Sequence, residues 1–333
     1  MKNQPTLAQL GTGSYQADLT RYQAILAEIH SYVDSFAPPL QAMARPFFER
    51  LAQGEFSQVV ALLPYWLADI LPVAPEVSHW LGIAHLYGWW YYAAQDELLD
   101  HEAPPAALLG GHLALLKMIE IYQRLGVAHA ACWADFARLA LISAEFYAVE
   151  LQTRFTHLAE LTPNRLSLLN VEFIINRGAP FYFNTIAQLY LADIPAHDSR
   201  RQDLPAALRY FSAARQISDD AGDWLADLQR GQLNYVSAQL IQRLYRRGLV
   251  RSGTDLDPER LAGYQLQDEA FWTEIEQTTY TLSQQALDCL APYGERRLQT
   301  LIRRQMARQA EQWAAARTQR NGLRQIFSLS FVS

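Results

Sequence analysis

Apolar positions recur at three- and four-residue spacing along almost the whole chain, as in LTRYQAILAEIHSYVDSF and LQTRFTHLAELTPNRLSLLNVEFI. This spacing places apolar side chains on one face of an α-helix and predicts amphipathic helices packed around a core. Alternation of apolar and polar residues with period two, which would indicate β-strands, is nearly absent. We therefore predict an all-α protein.

Short segments rich in proline and glycine interrupt this pattern and divide the chain into about ten predicted helices. The clearest are APP at 37–39, EAPP at 102–105 and APYGE at 291–295. No change in composition and no linker rich in serine and glycine separates two domains. We expect one all-α domain over residues 1–333, with a helical bundle at about 20–315 around a central apolar cavity.

Composition and charge narrow the classes of function. The formal net charge is −6, so the chain lacks the basic excess that neutralises nucleic-acid phosphates, and we expect no nucleic-acid partner. The two cysteines, Cys132 and Cys289, form no metal-binding pair, which is typical of a reducing compartment. The apolar stretches fall short of the ~20 residues of a membrane-spanning helix, and no secretory leader is evident. We expect a cytoplasmic protein without stable membrane insertion.

The first candidate for chemistry is the stretch WWYYAAQDELLD, in which four aromatic residues are followed closely by three carboxylates. On a helix, Asp96 and Asp100 lie one turn apart on the same face, and Glu97 lies beside Asp100. The same face, extended backwards, includes Tyr92 and Trp89. The pattern therefore predicts a pair of carboxylates at the end of an aromatic wall.

A second acidic cluster occurs much later, in RQISDDAGDWLADLQRG. Asp219, Asp223 and Asp227 are spaced by four residues and share one helix face, and Asp220 lies beside Asp223. Gln216 precedes Asp220 by one turn. Like charges at this spacing destabilise a helix by about 0.2–0.5 kcal/mol per pair, so the cluster needs a compensating partner unless it is fully solvated.

Either acidic face alone is typical of a solvated helix surface. Both lie next to apolar, core-like sequence, where loss of solvent makes the repulsion between carboxylates costlier. A hard divalent cation relieves this repulsion, and Mg²⁺ typically takes one or two carboxylates together with waters and substrate phosphates. The two clusters together therefore favour a magnesium site that binds a diphosphate.

These segments resemble those of trans-isoprenyl diphosphate synthases and class I terpene synthases, which share the all-α isoprenoid-synthase fold. QDELLD is similar to the first aspartate-rich motif, with Glu97 at the usual second aspartate, and ARQISDDAGD is similar to the second motif. INRGAPF resembles the segment whose lysine contacts diphosphate, with Arg177 at that position. The resemblance covers about residues 20–300.

The resemblance implies roughly two or three Mg²⁺ ions and an allylic prenyl diphosphate as the substrate. The implied metal ligands are Asp96, Glu97, Asp100, Asp219, Asp220, Asp223 and Asp227. The implied diphosphate ligands are Arg177, Gln216 and Arg230. Loss of diphosphate leaves an allylic cation, which aromatic faces stabilise; the candidates are Trp89, Tyr92, Phe181 and Phe183.

The chain departs from the pattern of the elongating enzymes at both places that bind a second diphosphate. The stretch PPLQAMARPFF lacks their Gly-Gly-Lys and retains only Arg45-Pro46, and HEAPPAALLGG after Asp100 contains no arginine. A metal-free diphosphate needs several cations to offset its charge. The main hypothesis is therefore a class I terpene synthase that converts a C15–C20 allylic diphosphate into a hydrocarbon or an alcohol.

Two alternatives remain open at the level of the sequence. The first is a prenyltransferase, either an elongating trans-isoprenyl diphosphate synthase or a head-to-head enzyme like squalene and phytoene synthases, because DELLD and DWLAD each carry a DxxxD-like spacing. The second is a non-catalytic partner subunit, which the retained carboxylates disfavour. The resemblance is also compatible with a homodimer.

Overall fold

The computed structural model describes residues 12–99, 106–127 and 130–330. These residues form fourteen α-helices and contain no β-strand, which confirms the predicted all-α class. In chain order they are α1 (Thr12–Asp34), α2 (Pro38–Ala52), α3 (Glu55–Leu67), α4 (Pro75–Leu99), α5 (Ala106–Arg124), α6 (Ala130–Thr153), α7 (Pro163–Ser167), α8 (Val171–Arg177), α9 (Phe183–Leu191), α10 (Arg200–Gln229), α11 (Tyr235–Arg246), α12 (Pro258–Gln267), α13 (Glu269–Leu290) and α14 (Arg297–Ser330). None of the described helices combines the length and apolar character that crossing a membrane requires.

Between α6 and α9 the stretch LQTRFTHLAELTPNRLSLLNVEFI is interrupted at TPN (162–164), where the proline predicts a break, and again at Asn170, where the sequence pattern predicts none. The side chain of Thr162 accepts a hydrogen bond from the Arg165 N–H (3.4 Å). The side chain of Asn170 accepts one from the Phe173 N–H (2.9 Å). Each of these caps begins a new helix, and Pro163 occupies the first position of α7, where it needs no hydrogen-bond acceptor.

The described chain divides into two compact units. The first comprises residues 1–140, 180–205 and 293–298, and the second comprises 141–179, 206–292 and 299–333. The first acidic motif belongs to the first unit and the second motif belongs to the second unit. The single domain with a central apolar cavity, which the sequence pattern suggests, stays a prediction.

Helix α4 forms the centre of the first unit. Nearly every residue from Leu81 to Trp90 is buried, so this helix has packed neighbours on all sides. A Cβ atom on Gly82 would lie 2.5 Å from the carbonyl oxygen of Ala61 on α3 and 2.9 Å from the side chain of Ile25 on α1. Glycine therefore allows the α3 and α4 backbones to approach closely, which fixes the path of α4 towards its acidic end.

The core of the second unit is built around α10 and α11. Ile217, Trp224 and Leu228 are buried along one face of α10, and Val236 and Leu240 are buried on α11. Their spacing of four or seven residues produces the apolar stripe that the sequence pattern predicts. Because this stripe points into the core, the carboxylates of α10 are distributed between the edge of the core and the solvent.

Candidate active site

The first acidic motif lies in the last turns of α4, where Asp96 and Glu97 are both partly buried. Asp100 lies outside the described residues. The Arg50 guanidinium of α2 donates to both oxygens of Glu97, and the Nη2–Oε2 distance is 2.6 Å. This two-point contact is the geometry in which arginine binds a carboxylate most strongly. An arginine therefore lies at the first motif, although it precedes Glu97 by 47 residues in the chain.

The aromatic residues predicted to form a wall lie close to one another in the first unit. Phe56 of α3 connects two of them, with ring centroids 4.8 Å from Trp89 and 5.0 Å from Phe181. Tyr92 contacts Phe183, with centroids 6.2 Å apart. The sequence predicts Trp89, Tyr92 and Phe181 as residues of this aromatic wall, but it does not predict Phe56. Their role in stabilising a cation stays a prediction, because core packing alone also accounts for these contacts.

His85 ties α4 to two backbone segments. Its Nδ1 lies 2.8 Å from the Val60 carbonyl oxygen, and its Nε2 lies 2.7 Å from the Phe181 carbonyl oxygen. Pro64, inside α3, has no N–H to donate to Val60, so His85 supplies the missing donor. Burial lowers the pKa of His85 to about 4, and the two carbonyls, which favour a doubly protonated ring, offset only part of this effect.

The second acidic motif lies on α10, and Asp220 is its buried member. Asp220 Oδ1 accepts a hydrogen bond from Gln216 Nε2 (2.8 Å), and Oδ2 accepts one from the Tyr235 N–H (3.0 Å) at the start of α11. Asn234 Nδ2 donates to the Asp220 carbonyl oxygen (3.2 Å) and to the Asp227 carboxylate (2.8 Å). Burial raises the pKa of Asp220 to about 7. Asp220 and Asp227 therefore also brace the connection from α10 to α11.

The other acidic residues of α10 are more exposed. Asp219 pairs with Arg215 (3.2 Å), and Asp227 pairs with Arg230 (2.6 Å). Asp223 is exposed to solvent. Partial burial raises the pKa of Asp219; the Asp223 carboxylate acts in the same direction, whereas Arg215 opposes both. The carboxylates of Asp219 and Asp223 are therefore accessible to a cation, and Asp219 is also paired with an arginine.

Arg177 ends α8 beside this motif. Its guanidinium contacts Glu150 of α6, with an Nε–Oε2 distance of 2.9 Å. A Cβ atom on the next residue, Gly178, would lie 2.6 Å from Ser212 Oγ, so the absence of a side chain lets the end of α8 lie against α10. The positive charge of Arg177 lowers the pKa of Asp220, opposing the effect of burial. The structure thus brings Arg177 together with the second motif.

Several charged residues near Arg177 and the second acidic motif are not predicted by the sequence. Glu150 and Arg215 were not identified, and Arg308 of α14 lies near enough to lower the pKa of Asp219. Arg303 and Arg304 on the same helix are exposed. Glu150 and Arg308 carry no local motif because other helices bring them near α10, whereas Arg215 lies on α10 itself, one turn before Asp219.

The donor chemistry of both motifs fits a hard cation, since every ligand candidate offers carboxylate oxygens. Holding a divalent ion would also relieve the repulsion between Asp219 and Asp223 and compensate the buried Asp220. In the described part of the chain, no three histidine, cysteine, aspartate or glutamate side chains are already gathered as a metal-ligand group. The magnesium ions and their seven carboxylate ligands stay a prediction.

Comparison with known proteins gives a match through structure and not through sequence. No protein-family model and no curated protein matches the chain. A geranylgeranyl pyrophosphate synthetase from the archaeon Geoglobus acetivorans superposes with a TM-score of 0.63 at 17% identity, covering 89% of this chain and 99% of that chain. A putative geranylgeranyl pyrophosphate synthase from Corynebacterium glutamicum gives 0.62 at 13% identity, covering 88% and 95%.

A third similar structure is an isoprenoid synthase family member from Thermotoga neapolitana, with a TM-score of 0.52 at 15% identity, covering 86% of this chain and 98% of that chain. At these identities the likeness establishes the fold alone. The expected isoprenoid-synthase fold is thereby confirmed.

Proposed function

We propose that this chain, which has the isoprenoid-synthase fold, is a prenyltransferase that joins an allylic prenyl diphosphate to a second isoprenoid diphosphate. This proposal replaces the terpene synthase that was the main hypothesis from the sequence. It is supported by similar solved structures whose titles describe geranylgeranyl pyrophosphate synthases. It is also supported by one observation of charge at the first acidic motif.

The observation that carries the proposal is the position of Arg50. The sequence disfavours binding of a second diphosphate because it has no arginine directly after Asp100 and no Gly-Gly-Lys. Arg50 supplies a guanidinium at the same motif from α2, where it contacts Glu97. On the same helix, Arg45 pairs with Glu49 (3.9 Å). Guanidinium groups can exchange a carboxylate partner for a diphosphate because both present paired oxygens.

The proposed reaction begins at the C–O bond of the allylic substrate. That bond breaks with its electron pair remaining on the diphosphate, and the double bond of the second substrate attacks the resulting allylic carbon. Loss of a proton then completes the longer prenyl diphosphate. Mg²⁺, when bound, would neutralise the charge that develops on the leaving diphosphate.

Each group of residues has a separate part in this proposal. Asp96 and Asp100 of the first motif, and Asp219 and Asp223 of the second, would bind the metal ions, as the resemblance of the two motifs implies. Arg177 would donate hydrogen bonds to the diphosphate oxygens. Gln216 and Arg230 would act less directly, since they hold Asp220 and Asp227 respectively.

The aromatic side chains would complete the site. Trp89, Tyr92 and Phe181 would line the space of the allylic chain, and each aromatic face that meets the cation contributes about 0.5–2 kcal/mol. The same side chains would keep water from capturing the cation before the second substrate attacks it. A pocket of this kind suits either prenyl transfer or cyclisation, so the aromatic residues do not distinguish the two reactions.

A terpene synthase is the second candidate, and a specific observation favours it: neither the Gly-Gly-Lys nor the arginines after Asp100 are present in the sequence. Incubation with Mg²⁺ and ten-, fifteen- or twenty-carbon allylic diphosphates, each with and without isopentenyl diphosphate, separates the candidates. We expect a longer prenyl diphosphate that forms only when both substrates are present. A hydrocarbon or alcohol from the allylic substrate alone would identify a terpene synthase instead. No consumption of any substrate would leave the non-catalytic partner.

A further inference from the structure

The contact between Arg177 and Glu150 is largely shielded from solvent. Beside the Nε–Oε2 ion-pair contact, Arg177 Nη2 donates a hydrogen bond to Glu150 Oε1 at 3.2 Å, so both carboxylate oxygens lie against the guanidinium. The two side chains are only 18% and 21% exposed. Removing the partner of a shielded arginine costs more free energy than removing the partner of an exposed one, because little water is available to solvate the unpaired charge.

The surroundings fix where this guanidinium can point. Tyr147, one turn before Glu150 on α6, has its ring centroid 5.9 Å from the Arg177 guanidinium carbon. On the other side, the close approach of Gly178 to Ser212 holds the end of α8 against α10. Ser212 lies two turns before Asp220 on the same helix, so this approach directs Arg177 towards the second acidic motif.

We propose that Glu150 is a positioning residue for Arg177 in the diphosphate site, an inference that rests on the proposed function. Glu150 accepts a hydrogen bond from Nη2, lies 2.9 Å from Nε, and orients the rest of the planar group towards the face of α10 that carries Asp220. It also compensates the charge of Arg177 when no diphosphate is bound. The diphosphate then meets an arginine whose orientation is already set, which reduces the entropy lost on binding.

Removing the charge of Glu150 tests this role. Glu150→Gln keeps the size of the side chain and one oxygen acceptor, but it loses the carboxylate that holds the guanidinium. We expect kcat with the allylic diphosphate to fall about tenfold while KM changes about twofold or less, because orientation matters most in the transition state. Glu145→Gln, at an exposed position of the same helix, removes the same charge and should match the unmodified protein.

A double-mutant cycle separates positioning from a general structural effect. If Glu150 acts through Arg177, adding Glu150→Gln to Arg177→Gln should change kcat by less than about twofold further. Additive losses, or a Glu150→Gln protein with unchanged kcat, would overturn the inference. Should Glu150→Gln fail to fold, Glu150→Asp keeps the charge but retracts it by one methylene, and the same cycle applies.

Binding of inorganic pyrophosphate with Mg²⁺, measured by calorimetry, keeps this test apart from that of the overall function. Inorganic pyrophosphate resembles the leaving group after the C–O bond has broken, so we expect Glu150→Gln to weaken its binding about tenfold in the presence of Arg177 and to have no effect in Arg177→Gln. This coupling without any prenyl product would refute the proposed function and retain the inference. Product formation without this coupling would support the proposed function and overturn the inference about Glu150. Absence of pyrophosphate binding would also overturn that inference.

Discussion

Asp220 is expected to stabilise the fold as well as to bind metal, and truncating it to alanine tests the first role. Its carboxylate accepts hydrogen bonds from Gln216 Nε2 and from the N–H of Tyr235, a buried residue at the start of α11. In Asp220→Ala the Tyr235 N–H loses its acceptor, and a buried donor left unsatisfied costs about 1–3 kcal/mol. Gln216 is less buried and can turn towards water, so its loss adds little.

Alanine also removes the free-energy cost of burying the Asp220 carboxylate, which offsets part of this loss. We therefore expect a net destabilisation of about 1–2 kcal/mol. Asp220→Asn retains an oxygen acceptor and should lose less than about 1 kcal/mol. Urea unfolding followed by circular dichroism measures both values in metal-free protein. If Asp220→Ala were as stable as the unmodified chain, Asp220 would not stabilise the connection from α10 to α11. Asp220→Asn is therefore the better variant for testing metal binding.

Three further predictions address the other contacts. In steady-state kinetics, Arg50→Gln should raise KM for the second diphosphate about tenfold and leave KM for the allylic substrate within twofold. The control is Arg138→Gln, which changes an exposed arginine. Equal effects of Arg50→Gln on both substrates would contradict the role of Arg50 in binding the second diphosphate. Because the folded pKa of His85 is lowered to about 4, its stabilisation is present above pH 6.5 and falls by about 3 kcal/mol as the pH drops to 4. His85→Gln should flatten this part of the urea-unfolding profile, and an unchanged slope would disprove the assignment. Gly178→Ala should lower thermal stability and activity through its clash with Ser212, and Ser212→Gly should restore both; a failure of rescue would count against the close approach.

Much of the fold follows from the sequence because helical spacing is a local property. The pattern predicts the all-α class, and the acidic motifs fall on α4 and α10 as their spacing indicates. The count of helices was too low partly because a cap such as Asn170 acts through a single side-chain hydrogen bond. Such caps interrupt a helix without changing its apolar spacing.

The charged partners of the site could not be predicted in the same way. Arg50 meets Glu97 across 47 residues, and Glu150 meets Arg177 across 27. Neither pair shares a helix, so no periodicity relates its members, and only the packing of α2 against α4 or α6 against α8 brings them together. The sequence therefore predicts the acidic motifs, Arg177 and Arg230, but not Arg50 or Glu150, which contact Glu97 and Arg177.

The most direct test of the central claim is a crystal structure with Mn²⁺ and an allylic thiolodiphosphate, a substrate analogue that resists ionisation. We expect anomalous peaks about 2–2.4 Å from carboxylate oxygens of both motifs, Asp96 or Asp100 together with Asp219 or Asp223, with the diphosphate bridging the ions. Arg177 should contact the same diphosphate. Ions and diphosphate bound by one motif alone, or at neither, would contradict a shared site for prenyl diphosphate ionisation.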